Sequence, residues 1–190
     1  RAEPLLDSVI NPLYQAFDIL LKGRAHREPL ELFVPEKKIN LDERGNVTSI
    51  TNRVSIPAHK LVEEFMIQAN VAAAEELETK NTPCMYRIHE QPSFDKLENL
   101  RQFMQSLDYN IAKGQVIKPK FFNNLMSKVA GTPHENVVST IVLRTQMQAK
   151  YSPDNHGHFG LSLTRYGHFT SPIRRYADVL VHRALIKALK

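Results

Sequence analysis

The sequence predicts an α+β fold that is mostly helical, and three observations lead there. Apolar residues recur at helical spacing over most of the chain. Pro or Ser stands at the start of several of these stretches, where a first helical turn accepts them. Only a few short runs have the length and composition of strands, and there is no internal repeat or low-complexity tract.

In order along the chain, residues 3–22 read as an amphipathic helix (Leu5, Leu6, Val9, Ile10, Leu13, Phe17), followed by a polar connection from Gly23 to Pro29. Glu31–Leu41 and Val47–Thr51 read as two strands around the turn Asp42-Glu43-Arg44-Gly45-Asn46. Pro57 opens a long helix to about Lys80, with Leu61, Val62, Phe65, Met66, Ala69, Ala73 and Leu77 facing inward. Asn81-Thr82-Pro83 stop it, and Met85–Ile88 is a short strand. Ser93 caps a helix over Asp95–Leu107, and two more follow at Pro119–Val129 and Pro133–Lys150. Tyr151–Gly157 reads as a polar loop, Phe159–Leu163 as a strand and Ser171–Lys190 as the final helix.

The chain has 190 residues, enough for one domain, and with 42% hydrophobic and 24% charged residues a packed core is expected rather than disorder. No run is long enough to span a bilayer, so no membrane partner is expected. Cys84 is the only cysteine, which excludes an internal disulfide and a cysteine-based zinc site and is compatible with the cytoplasm, the expected location. A net charge of +5 permits a polyanionic partner without arguing for one. The chain starts at Arg1 and ends at Lys190 inside an apolar helical pattern; a piece of a longer protein is expected.

The most informative stretch is His158–His182. With Ser171 as cap and Pro172 at the first helical position, Arg174 and Arg175 fall in the first turn of a helix. The positive end of the helix dipole disfavours cations there, so either a bound phosphate offsets the cost or the arginines are solvated or paired with an acid. Arg174, Asp178 and His182 share one face, so Asp178 is placed to hold Arg174 and orient His182. Ile173, Ala177, Leu180, Val181, Ala184, Leu185 and Leu189 make the buried stripe.

His156, His158 and His168 lie close in sequence, but no Cys, Asp or Glu completes a ligand set; packing or hydrogen bonding is the expected role. Glu63 shares a flank of the long helix with Ile67, Asn70 and Ala74, and is either solvated or an acceptor for a ribose hydroxyl. The cluster of carboxylates that a two-metal nuclease needs is missing. No metal ligand is therefore assigned in this chain.

Together these motifs resemble the catalytic (RNB) domain of the ribonuclease II/ribonuclease R family of exoribonucleases, most closely its bacterial ribonuclease R members. The resemblance rests on His59-Lys60-Leu61-Val62-Glu63-Glu64 with Met66-Ile67-Gln68-Ala69-Asn70, on Tyr86-Arg87-Ile88-His89 before Pro92, and on Tyr151-Ser152-Pro153 with the His158–His182 block. One departure is Gly167, where the family more often has Ser, Thr, Ala or Val. The resemblance implies that residues 1–190 are the C-terminal part of such a domain. It implies a parent protein that hydrolyses single-stranded RNA processively from the 3′ end to nucleoside 5′-monophosphates, with Mg2+ held by an aspartate cluster upstream of this chain. The family's other RNA-binding domains would also lie outside it, and the isolated chain would be inactive. Carried over by position, Arg174 corresponds to the catalytic arginine on the scissile phosphate and Glu63 to the contact with the terminal sugar. Leu32, with Phe33 adjacent, falls where the family stacks the terminal base, and Arg175 either touches a neighbouring phosphate or pairs with an acid. The alternative is a non-catalytic RNA-binding relative of the same fold; a helical interaction domain without an RNA partner is a third expectation.

Overall fold

The computed structural model describes residues 3–32, 37–52, 54–112, 114 and 116–190, and it is α+β and mostly helical. Short 3₁₀ and π turns at Glu3–Leu5 and Leu6–Ile10 lead into α1, Asn11–Arg27. The helix runs five residues beyond the predicted end at residue 22, through Gly23, because Arg24 and Arg27 of its last turns are anchored on Glu64. Glu28, in the left-handed region, ends it. Among the described residues α1 buries only Phe17.

Strands β1 (Lys37–Leu41) and β2 (Val47–Asn52) form an antiparallel hairpin, as the Asp42–Asn46 turn predicts. The Asp42 carboxylate accepts the N–H groups of Arg44 and Asn46, and Gly45 takes a positive φ. The predicted first strand from Glu31 crosses residues 33–36, outside the described residues. Ile39, Leu41, Val47 and Ile50 of the hairpin are all exposed.

Helix α2 (Pro57–Thr79) starts at the predicted proline, but its buried line is rotated from the expected one. Glu64, Ile67, Asn70, Ala73, Ala74 and Leu77 face inward, while Val62 is exposed. The reason is polar: Glu64 and Asn70 find partners inside the fold, so a line containing them can be buried.

Strand β3 (Tyr86–Ile88) pairs antiparallel with β4 (Lys150–Ser152), which corrects the polar loop expected from Tyr151. Helices α3 (Phe94–Gln105), α4 (Pro119–Val129) and α5 (Glu135–Thr145) follow, with Ser93 accepting from Lys96 N–H as the α3 cap. Helix α5 stops five residues before the expected Lys150, and Lys96 Nζ binds the Arg144 and Gln146 carbonyls at its end. The strand expected at Phe159–Leu163 is a 3₁₀ turn, because His158 Nδ1 accepts the Leu161 N–H and Ser162 turns left-handed. The last helix, α6, is Tyr176–Ala188. No described helix is long and apolar enough to cross a membrane.

The described apolar residues form two cores. The first joins Ala73, Ala74 and Leu77 of α2 with Cys84, Tyr86, Ile88 and Val181 of α6. The second joins α3, α4 and α5 through Leu100, Met104, Phe122, Leu125, Val129, Val138 and Val142. Burial pushes the Cys84 thiol up to about 11.

His89 stands between the cores. Its Nδ1 accepts the Gly160 N–H at 2.9 Å, so in the neutral ring Nε2 is the donor, bonded to the Met147 carbonyl at 2.8 Å. Its ring packs on His158 and on Phe159, and Phe159 packs edge-on to Phe122 of the second core. Burial lowers the pKa of both histidines, His158 to about 3 with the help of neighbouring His89 and Arg87.

Two outcomes follow for stability. A Cβ on Gly160 would stand 2.9 Å from His89 Nδ1, so Gly160→Ala must disrupt this joint. Urea unfolding is expected to show a loss of about 1–3 kcal/mol. For pH, both histidine pKa values lie below 6.5 in the fold, so the unfolded chain binds more protons as pH falls. Stability is expected to be level above about pH 6.5 and to decline toward pH 4.5, by up to about 1.4 kcal/mol per pH unit for each histidine, in urea melts across that range.

Candidate functional site

The segment from Tyr166 to Arg175 carries the two arginines, and three side chains, two of them buried, hold it. Asn70 of α2 donates from Nδ2 to the Tyr166 hydroxyl at 3.0 Å, and its Oδ1 accepts the N–H groups of Phe169 and Thr170 at 2.8 and 3.3 Å. Asp178, fully buried in the first turn of α6, accepts the Ser171 N–H at 2.7 Å. His182, half-buried, stacks on the Phe169 ring and bonds the Phe169 carbonyl at 2.8 Å. Gly167 lies against this helix pair, and a Cβ there would meet Cys84 Sγ at 3.3 Å.

The arginines are not in the first helical turn. Pro172–Arg174 form a turn in which the N–H groups of Arg174 and Arg175 both bond the Ser171 carbonyl, and α6 begins at Tyr176 with Arg175 in the cap position. Ser171 does not cap it; its own N–H is taken by Asp178. Ile173, expected in the buried stripe, is fully exposed for the same reason, whereas Ala177 and Val181 are buried as expected.

Asp178 holds Arg175, not Arg174. Nη2 donates to Oδ2 at 2.8 Å, and Nε lies 2.8 Å from Oδ1 as an ion-pair contact that makes no hydrogen bond. Burial opposes charge on this carboxylate, but the bonds from Arg175 and Ser171 outweigh it and keep its pKa below the ordinary range. Arg175 thus takes the acid-paired alternative. Arg174 is exposed, and among the described residues its guanidinium makes no hydrogen bond or ion pair. His182 is oriented by Phe169 rather than by Asp178.

His168 sits beside this turn, sharing a 2.8 Å hydrogen bond between Nδ1 and the Tyr151 hydroxyl. Burial and the Arg175 charge lower its pKa to about 4, so it is neutral at neutral pH. His158 packs on Tyr166, and the two histidines take packing and hydrogen-bonding roles; His156 is exposed. Among the described residues no three His, Cys, Asp or Glu side chains come together to hold a metal. The described residues therefore do not fit a magnesium site.

Glu63 is exposed and faces two grooves. One, of about 770 Å³, brings it together with Leu32, Glu31, Arg24 and Lys60. The other, of about 540 Å³, brings it together with Arg175, Asn70, Tyr166 and Met66. Arg174 lines neither. Leu32 is placed by the segment before it: Leu30 N–H bonds the Gly160 carbonyl, and Asn123 bonds both Glu31 N–H and the Pro29 carbonyl. Phe33 lies outside the described residues.

The sequence reading missed the cluster beneath the first groove. Glu64 is 2% exposed, with Oε1 bonded to Arg24 Nη1 at 2.6 Å and Oε2 3.7 Å from Arg27 Nη2. Burial lowers the Arg27 pKa, against the pull of Glu64. The only sequence signal was a pair of arginines spaced i, i+3 at the end of α1.

Known proteins resemble this chain in sequence and fold. The RNB domain profile matches residues 2–190. Ribonuclease R of Aquifex aeolicus is 41% identical over 98% of the chain, which covers 26% of that protein. A solved structure of Mycoplasma genitalium RNase R in complex with ribose-methylated single-stranded RNA superposes with a TM-score of 0.82 at 31% identity, over 94% of this chain and 29% of that one. Yeast Ssd1, described as a pseudonuclease, is similar over 68% of this chain and 16% of its own, with a TM-score of 0.53 at 28% identity. The chain spans about a quarter of the length of the ribonuclease R relatives it matches. On the profile match over nearly its whole length and on this identity, the chain belongs to the RNB domain family.

Proposed function

We propose that this chain is the later part of the catalytic domain of a 3′→5′ exoribonuclease that hydrolyses single-stranded RNA to nucleoside 5′-monophosphates, and that Arg174 binds the scissile phosphate. One observation carries the reading. Asp178 engages Arg175 and leaves Arg174 exposed and unpaired, among the described residues, just before the N-terminus of α6. A cation at that end of a helix is unfavourable alone and becomes favourable with an anion bound. A planar guanidinium binds a phosphate through two N–H groups and stabilises the charge that grows on it in the transition state.

Glu63, at the junction of the two grooves, is the proposed acceptor for the terminal ribose 2′-hydroxyl, and Leu32 packs on the terminal base from across the first groove. Arg175 borders the second groove but spends its charge on Asp178, so its proposed role is to brace the turn. Magnesium supplies the activated water in such enzymes. Since no described side chains here fit it, its ligands are proposed to lie in the part of the protein outside this chain, and the isolated chain to be inactive. The exposed apolar residues of α1 and the hairpin support a further partner, the remainder of the parent protein. A cytoplasmic location is proposed on the single buried thiol alone.

The alternative is a non-catalytic RNA-binding protein, favoured by the likeness to a pseudonuclease. End-labelled single-stranded RNA, magnesium and the full-length parent separate the two. Stepwise 3′ shortening is expected, falling about 100–1000-fold in Arg174→Ala while RNA binding persists. RNA bound but never shortened by the unaltered protein would establish the alternative. In the same assay Glu63→Ala is expected to slow turnover of all-ribose RNA about 10-fold or more and to leave a 3′-terminal 2′-deoxynucleotide little changed, narrowing the preference for ribose.

A further inference from the structure

Asn70 is 2% exposed, yet each end of its amide is engaged, and all its partners lie in one distant segment. Nδ2 holds the Tyr166 hydroxyl, and Oδ1 holds two successive backbone N–H groups, of Phe169 and Thr170. These residues immediately precede the turn that presents Arg174. Asp178 and His182 fix the same segment from α6. Asn70 fixes it from α2, the helix that carries Glu63. An ion pair also links α2 to this region, Arg165 with Glu78, but both side chains are about 40% exposed and compete with water.

Glu63 and Asn70 are seven residues apart, so they lie on one line of α2 about 10 Å apart along its axis. The line enters the protein at Ile67, which is 6% exposed, and reaches Asn70 at the wall of the second groove. One rigid helix therefore sets the distance between the proposed sugar contact and the backbone that carries the phosphate contact.

We infer that Asn70 is a positioning residue: it anchors the Tyr166–Thr170 segment to α2 and so fixes Arg174 relative to Glu63. This rests on the function proposed above. Asn70 does not touch the reacting atoms; its action is through the turn. Misplacing a phosphate-binding group by about 1 Å costs up to about 100-fold in rate while binding elsewhere along the RNA persists.

The test uses the full-length parent with variants Asn70→Leu, Asn70→Asp and Val142→Ala. Leu is close in size and removes every bond. Asp keeps the acceptor for both N–H groups and accepts the Tyr166 hydroxyl proton. Val142 is fully buried in the second core, away from α2, and controls for lost stability. Single-turnover rate, RNA Kd and Tm are measured for each. Asn70→Leu is expected to slow the chemical step about 10–100-fold with Kd within about three-fold, and Asn70→Asp to recover most of the rate. Val142→Ala is expected to lower Tm without that loss of rate. The inference is overturned if Asn70→Leu stays within about three-fold of the unaltered rate, if affinity falls as far as the rate, or if Val142→Ala matches the loss. Arg174→Ala run alongside separates the two levels: an unchanged rate there refutes the proposed function itself.

Discussion

A carboxylate removed from water must be paired, and in this chain that constraint acts at Asp178. The side chain is wholly buried where α6 begins, and it takes Arg175 and the Ser171 N–H as partners. Much of the local structure follows from this choice. Ser171 N–H is turned toward Asp178, and the Ser171 carbonyl closes a turn with the N–H groups of Arg174 and Arg175 that does not run on into the helix. The helix begins at Tyr176, the intervening residues form a turn, and the neighbouring arginine is left without an acid among the described residues. The same constraint recurs at Glu64, where Arg24 and Arg27 supply the charge and bind α1 to α2. Each buried acid thus fixes the backbone beneath an exposed group, Arg174 in one case and Glu63 in the other.

The helices were legible because their signals are local. Pro57, Ser93 and Pro119 stand at or next to the starts of helices, and apolar spacing runs through each. What was illegible depends on contacts across the chain. Lys150–Ser152 has no alternating apolar pattern and is a strand only because β3 offers it an edge. Phe159–Leu163 has the composition of a strand, but the His158 ring captures a backbone N–H and bends it into a turn. The Ser171-Pro172 signal gives a turn at Pro172–Arg174, and the helix itself starts at Tyr176, where Asp178 in its first turn has taken Arg175 and the Ser171 N–H.

The site was legible in a different way. Charge alone left Arg174 and Arg175 equivalent; spacing paired Asp178 with Arg174, family resemblance assigned Arg174 to the phosphate, and the geometry gives Asp178 to Arg175 instead. Glu63 lies on α2 as expected, and the grooves it shares with Leu32 and with Arg175 became visible only in the fold. Glu64 had no comparable signal, since a buried glutamate on a helix cannot be told from a solvated one until the arginines 37 and 40 residues earlier are seen against it.

Cys84 touches the same machinery from behind. It is buried in the first core, packs near Gly167 and belongs to the cluster that includes Ala74 of α2 and Val181 of α6. With its thiol held near 11, it offers almost no thiolate at neutral pH, and water-borne reagents cannot reach it while these helices are closed together. The lone thiol is consequently a built-in clock. Its rate of disulfide exchange counts how often α2 and α6 part, and thereby how often the scaffold behind Arg174 is briefly undone.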